Sequence, residues 1–160
     1  MSTRGYVGIL NEDGSVDAIY NHDTFNIHHH LTIFGKAFHY CEREFFHRPT
    51  VFKYKDAIDY MISDDCINNN VIPMIVPNWD HSPRSGHHAI ILHGSTPQLF
   101  AKLIRRALKI VANKPPQHQI IMIKSWNEWG EGNYLEPDLE YGHSYLEVLK
   151  QEINRNNVFG

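Results

Sequence analysis

Two short apolar runs, Val71-Ile72-Pro73-Met74-Ile75-Val76 and Ile120-Ile121-Met122-Ile123, bracket a long amphipathic stretch. That order constrains the fold more than any other feature of the chain. Short apolar runs without alternation read as strands buried on both faces, the pattern of a parallel sheet covered by helices. Pro73 removes one ladder donor from the first of them. Between the runs, Thr96-Pro97 supplies a capping hydroxyl followed by proline at the first helical position. Leu99, Phe100, Leu103, Ile104, Ala107, Leu108 and Val111 then fall on one helical face, with Lys102, Arg105, Arg106 and Lys109 elsewhere. Asn113-Lys114-Pro115-Pro116 stops this helix, and a closing amphipathic helix is predicted from Ser144 to Ile153. Strand, helix, strand and helix in succession predict an α/β fold with parallel pairing.

The first half reads less clearly. Tyr6–Leu10 and Val16–Tyr20 flank Asn11-Glu12-Asp13-Gly14-Ser15, a hairpin signal because glycine tolerates positive φ. Residues 21–50 are rich in His, Phe and Tyr, and Arg48-Pro49 ends any helix running through Cys41–Glu44. Tyr54, Ala57, Ile58, Met61 and Ile62 recur at helical spacing, which predicts a helix over 51–67. At 160 residues the chain has the length of one domain. A net charge of -3 gives no basic face for nucleic acid. No apolar run approaches the roughly 18 residues of a membrane helix. Cys41 and Cys66 form no disulfide or zinc pattern, so a soluble, reducing, cytoplasmic setting is expected.

Chemistry concentrates directly after the two apolar runs, where α/β folds bind ligands. After the second lies Lys124-Ser125-Trp126-Asn127-Glu128-Trp129-Gly130-Glu131-Gly132-Asn133-Tyr134-Leu135-Glu136-Pro137-Asp138. Indole faces suit the C–H faces of sugar rings, and amides and carboxylates bind their hydroxyls. Two neighbouring carboxylates are what glycosidic-bond chemistry requires, one as proton donor and one as base or nucleophile. The same composition also fits a solvated acidic loop whose tryptophans plug the core. After the first run lies Pro77-Asn78-Trp79-Asp80-His81-Ser82-Pro83-Arg84-Ser85-Gly86, with a similar complement of groups.

Other chemistries lack their signatures. The 12 histidines include His28-His29-His30 and His87-His88, but no His-Glu-x-x-His spacing. They read as solvated or packing groups, and neither metal nor cofactor is expected. Gly-rich phosphate loops and a Gly-x-Ser-x-Gly elbow are absent from the sequence.

Asn78–Gly86, Gly94-Ser95-Thr96-Pro97-Gln98-Leu99-Phe100 and Trp126–Asp138 closely resemble the WbsX family, labelled glycosyltransferase and associated with bacterial surface polysaccharide, including lipopolysaccharide O-antigen and capsule. That family is itself similar to glycoside hydrolase family 99, the endo-α-mannosidase-like (β/α) barrels. The resemblance is strong and ordered over residues 51–149. It implies that residues 1–160 form a single partial domain, the C-terminal part of a (β/α)8 TIM-type barrel truncated on its N-terminal side. A complete barrel usually takes about 250 residues, so the missing N-terminal half is an expected partner.

The resemblance further implies catalysis by Glu128, as a base recruiting the sugar's 2-hydroxyl, and Glu131, as acid/base at the glycosidic oxygen. Trp126, Asn127, Trp129, Tyr134, Asn78, Trp79, Asp80 and Arg84 are implied as the sugar-contacting shell. The implied substrate is a carbohydrate, carried on a sugar nucleotide in the transferase reading. A retaining α-mannoside hydrolase and a catalytically incomplete glycan-binding fragment are the alternatives.

Overall fold

The computed structural model describes residues 3–7, 18–22 and 27–155. Strands β1 (Thr3–Val7) and β2 (Ala18–His22) lead to a helical turn, α1 (Ile27–His30), and helix α2 (Ile33–Glu44). Strand β3 (Thr50–Lys53) runs into a second turn, α3 (Tyr54–Ala57), and β4 (Val71–Ile75) follows. Next come β5 (Trp79–Asp80), the turn α4 (Ser82–Ser85), β6 (Ile90–His93) and helix α5 (Pro97–Val111). Strands β7 (Met122–Ile123), β8 (Asn127–Glu128) and β9 (Asn133–Tyr134) precede the last helix, α6 (Ser144–Arg155).

The strands form three sheets. One has the order β1-β2-β4-β7, with β1 antiparallel to β2 and the remaining pairs parallel. A second has the order β3-β6-β5, with β3 parallel and β5 antiparallel to β6. Strands β8 and β9 form an antiparallel hairpin. The fold is therefore mixed α/β. The expected barrel is wholly parallel, whereas β1 and β5 run antiparallel, and no sheet among the described residues closes on itself.

The central strand–helix–strand unit follows the predicted pattern. All five residues of β4 are buried, and β4 pairs in parallel with β7, Met74 opposite Met122 and Ile75 opposite Ile123. The Thr96 hydroxyl accepts from Leu99 N at 3.2 Å and caps α5 as expected. Phe100, Leu103, Ile104, Ala107, Leu108 and Val111 on α5 are buried, each large side chain contributing roughly 1.5–3 kcal/mol. Helix α6 lies against α5, where Arg105 Nη1 meets Glu152 Oε1 at 2.7 Å. Buried Lys114, just past α5, donates to Val71 O at 2.6 Å and ties the helix end to the start of β4. Burial holds that ammonium's pKa below its ordinary value.

Three predictions are corrected. The helix over 51–67 is instead β3, the single turn α3 and a 3₁₀ turn at Asp64–Ile67. Tyr54, Ala57, Ile58, Met61 and Ile62 are buried as their spacing requires, but the backbone between them is not helical throughout. Thr50–Lys53 pairs with β6, and Arg106 of α5 takes the carbonyls of Ile58, Asp59 and Ile62 at 3.3, 2.6 and 3.0 Å. Those acceptors are thus bound by a side chain. Strand β7 is shorter than its apolar run, and its two residues are only half-buried because it borders a small apolar cleft with Ile121 and Leu149. The N-terminal hairpin is present as antiparallel β1 and β2, shifted to Thr3–Val7 and Ala18–His22, while its turn lies outside the described residues.

Candidate active site

Parallel pairing of β4 and β7 sends the chain out of both strands in the same direction, so the two polar loops meet. The loop after β7 folds back as the β8–β9 hairpin, with Asn127 opposite Tyr134 and Glu128 opposite Asn133. Its tip is a 3₁₀ turn, Trp129–Glu131, closed by Gly132 at φ +49°. Glycine is required there twice over. The left-handed φ penalises a side chain, and a methyl group would lie 2.8 Å from Asp80 Cβ and 3.0 Å from its backbone N and O.

Asn133, fully buried, anchors the hairpin. Its Nδ2 donates to Asn78 O at 2.7 Å and Lys124 O at 2.9 Å, one carbonyl from each loop. Asn78 Oδ1 accepts from Tyr134 N at 2.8 Å. Ser125 Oγ donates to Asn133 O at 2.7 Å and accepts from Glu128 N at 3.2 Å. A buried amide nitrogen shared between the carbonyls of two loops fixes them far better than exposed contacts do.

On this base the two glutamates converge on one guanidinium. Arg84 Nη2 meets Glu128 Oε1 at 2.7 Å and Arg84 Nη1 meets Glu131 Oε1 at 3.2 Å. Lys124 Nζ lies 3.3 Å from Glu131 Oε2, and His81 Nε2 lies 3.8 Å from Glu131 Oε1. Ser85 Oγ and His81 Nδ1 are hydrogen-bonded at 2.9 Å, which holds the imidazole in place.

The residues expected to contact sugar divide into two groups. Trp126 and Trp129 are 54% and 48% exposed, and Asn127 is exposed beside them. Trp129 stacks on half-buried Tyr134 with centroids 3.8 Å apart, and its Nε1 donates to Glu136 Oε2 at 2.8 Å. Trp79 and Asn78 instead lie beneath the site, 6% and 8% exposed. Trp79 carries Lys124 Nζ 4.8 Å from its ring centroid. Asp80 Oδ1 accepts from Ser82 N at 2.9 Å and starts the turn that carries Arg84. It therefore supports the site from below Gly132, and Arg84 alone of that pair reaches Glu128. His81 and Lys124 were not among the predicted site residues. Lys124's place at the very end of an apolar strand was the available signal.

Residues 10–149 match the family described as "Glycosyltransferase WbsX". The chain belongs to the WbsX glycosyltransferase family. Two curated relatives carry the description "Uncharacterized protein WxcX". The one from Xanthomonas campestris pv. campestris strain B100 is 34% identical over 106 residues, 66% of this chain and 15% of the relative. The other, from strain ATCC 33913, is 39% identical over 84 residues, 52% and 12% of the two lengths. This WbsX chain thus spans about 15% or less of the curated relatives it matches. A solved "Glycoside hydrolase-like protein" superposes with a TM-score of 0.45 and 19% identity, over 87% of this chain and 38% of that one. No helix among the described residues is long and apolar enough to cross a membrane.

Proposed function

We propose that this site makes or breaks a bond at the anomeric carbon of a sugar, with Glu128 and Glu131 as the reacting pair. The observation that carries the reading is the shared clamp. One guanidinium holds both carboxylates of a single hairpin, next to two half-exposed indoles suited to sugar rings. In this arrangement Glu128 takes a proton from an attacking hydroxyl, and Glu131 gives one to the departing glycosidic oxygen.

Membership of the WbsX family supports a glycosyl-transfer role in surface-polysaccharide assembly, with the parallel β2-β4-β7 strands, α5 and α6 as part of a (β/α) barrel. Kinetics on the glutamine variants test the reading. Glu128→Gln and Glu131→Gln each lower turnover by about 10²–10⁴-fold, the usual worth of general acid–base help. Their effects are strongly non-additive because they serve one transition state. An activated aryl glycoside, which needs little protonation, restores Glu131→Gln but not Glu128→Gln. Near-full activity of Glu131→Gln on a poor leaving group, or equal rescue of both variants, overturns the assignment.

A further inference from the structure

The β8–β9 hairpin borders a depression that the two glutamates do not use. An open cleft of about 610 Å³ is lined by Trp129, Tyr134, Pro137, Leu139, Glu140 and His143, among others. It shares Tyr134, Asp138 and Glu140 with a polar recess of about 210 Å³ that adds Asn78, His93, Ser95 and Tyr141. The pieces match a sugar's two kinds of surface. Trp129 is half-exposed, yet its orientation is fixed by the Tyr134 stack and the Glu136 hydrogen bond. Pro137 and Leu139 extend the apolar wall, and Leu139 is fully exposed.

The rest of the lining is hydroxyl and carboxylate. Burial, then the charges of Asp138 and Glu140, holds the Tyr134 phenol above its ordinary pKa, so it stays a donor. The same three influences, with a hydrogen bond to Glu140, act on Tyr141. Among the described residues, neither lysine nor arginine lines the cleft or the recess, and the site's own cations, Arg84 and Lys124, are held by Glu128 and Glu131. A phosphate or uronate entering here would face Asp138 and Glu140 with only His93 and His143 as opposing groups. Anion sites are built the other way, around Arg or Lys forks.

We infer that this depression is a subsite for an uncharged sugar unit of the glycan and that it excludes anionic ligands, including the diphosphate of a sugar nucleotide. The inference rests on the sugar chemistry proposed for the adjoining glutamates and adds the class of sugar held beside them.

The test is calorimetric titration of the whole chain with Glu128 and Glu131 intact, so that Arg84 and Lys124 keep their carboxylate partners, with thio-linked oligosaccharides so that binding is read without turnover. The probes are neutral hexose oligosaccharides, their uronate counterparts and uridine diphosphate. Neutral oligosaccharides bind, at least ten-fold more tightly than the uronates, and uridine diphosphate does not compete. Trp129→Ala weakens neutral binding at least ten-fold. Leu139→Lys changes only a fully exposed side chain, so folding is kept, and it narrows the neutral-over-uronate preference several-fold. Uronate or uridine diphosphate binding as tight as the neutral sugar overturns the inference. So does neutral binding indifferent to Trp129→Ala, or no binding of any probe. Failure of the catalytic reading shows separately, as turnover that survives the single glutamine variants while Trp129-dependent sugar binding persists.

Discussion

The loops that leave β4 and β7 contain nearly the same chemistry and use it in opposite ways. Each holds a tryptophan, an asparagine, a carboxylate and a cation within a few residues of a parallel strand end. After β4 the tryptophan and asparagine turn inward, Trp79 at 6% and Asn78 at 8% exposure. After β7 the tryptophans turn outward, Trp126 at 54% and Trp129 at 48%. The first loop is a foundation from which one long side chain, Arg84, reaches up. The second is the working surface. Composition at a strand end thus locates a site without saying which side chains touch the ligand, because that depends on which backbone amides the neighbouring loop has to satisfy.

The contrast is open to attack at three points. The largest effect belongs to the tryptophans. Trp79→Ala removes a buried indole and lowers stability by about 3–5 kcal/mol, whereas Trp129→Ala lowers it by less than half as much in the same urea melts. Equal losses would erase the division between foundation and surface. Next is the contact between the loops. Gly132→Ala places a methyl group against the Asp80 backbone in a left-handed conformation. Overpacking costs about 1–3 kcal/mol and the left-handed φ about 1–2 kcal/mol more. Gly130→Ala meets only the flexible Arg84 side chain, at 3.1 Å, and is the milder control in thermal or urea unfolding. The smallest effect is at the clamp. Arg84→Gln changes stability by about 0–1 kcal/mol, as exposed ion pairs do, and the difference shrinks as salt is raised. A larger, salt-insensitive loss would mean that Arg84 belongs to the foundation.

Much of the scaffold was legible in the residues. Five consecutive apolar positions gave β4, and a Thr-Pro cap with seven apolar residues on one face gave α5, because both signals are local and survive any tertiary setting. The stretch 51–67 was not legible. Its apolar spacing reports which residues are buried, and one turn of helix followed by irregular chain buries them equally well. The β8–β9 hairpin was missed because three of its four residues, Asn127, Glu128 and Asn133, are weak strand formers. Its register comes from Asn133 and Asn78 across 55 residues of sequence, which no window along the chain can see. The convergence of Arg84 on both glutamates likewise needed two loops brought together, since Arg84 lies 44 residues before Glu128 and 47 before Glu131. The glutamates themselves were visible as a motif.

Arg106 has a consequence that reaches beyond the correction it makes to the 51–67 segment. Its guanidinium takes the carbonyls of Ile58, Asp59 and Ile62 from the exterior of α5, so this irregular stretch has its acceptors satisfied by a helix formed forty-odd residues later. The stretch's own backbone bonds reach back only three or four residues, Ile58 N to Tyr54 O at 3.0 Å and Tyr60 N to Ala57 O at 2.9 Å. Unwinding the C-terminal half of α5 would take Arg106 away from those three carbonyls, so the two segments are expected to open together as one cooperative unit.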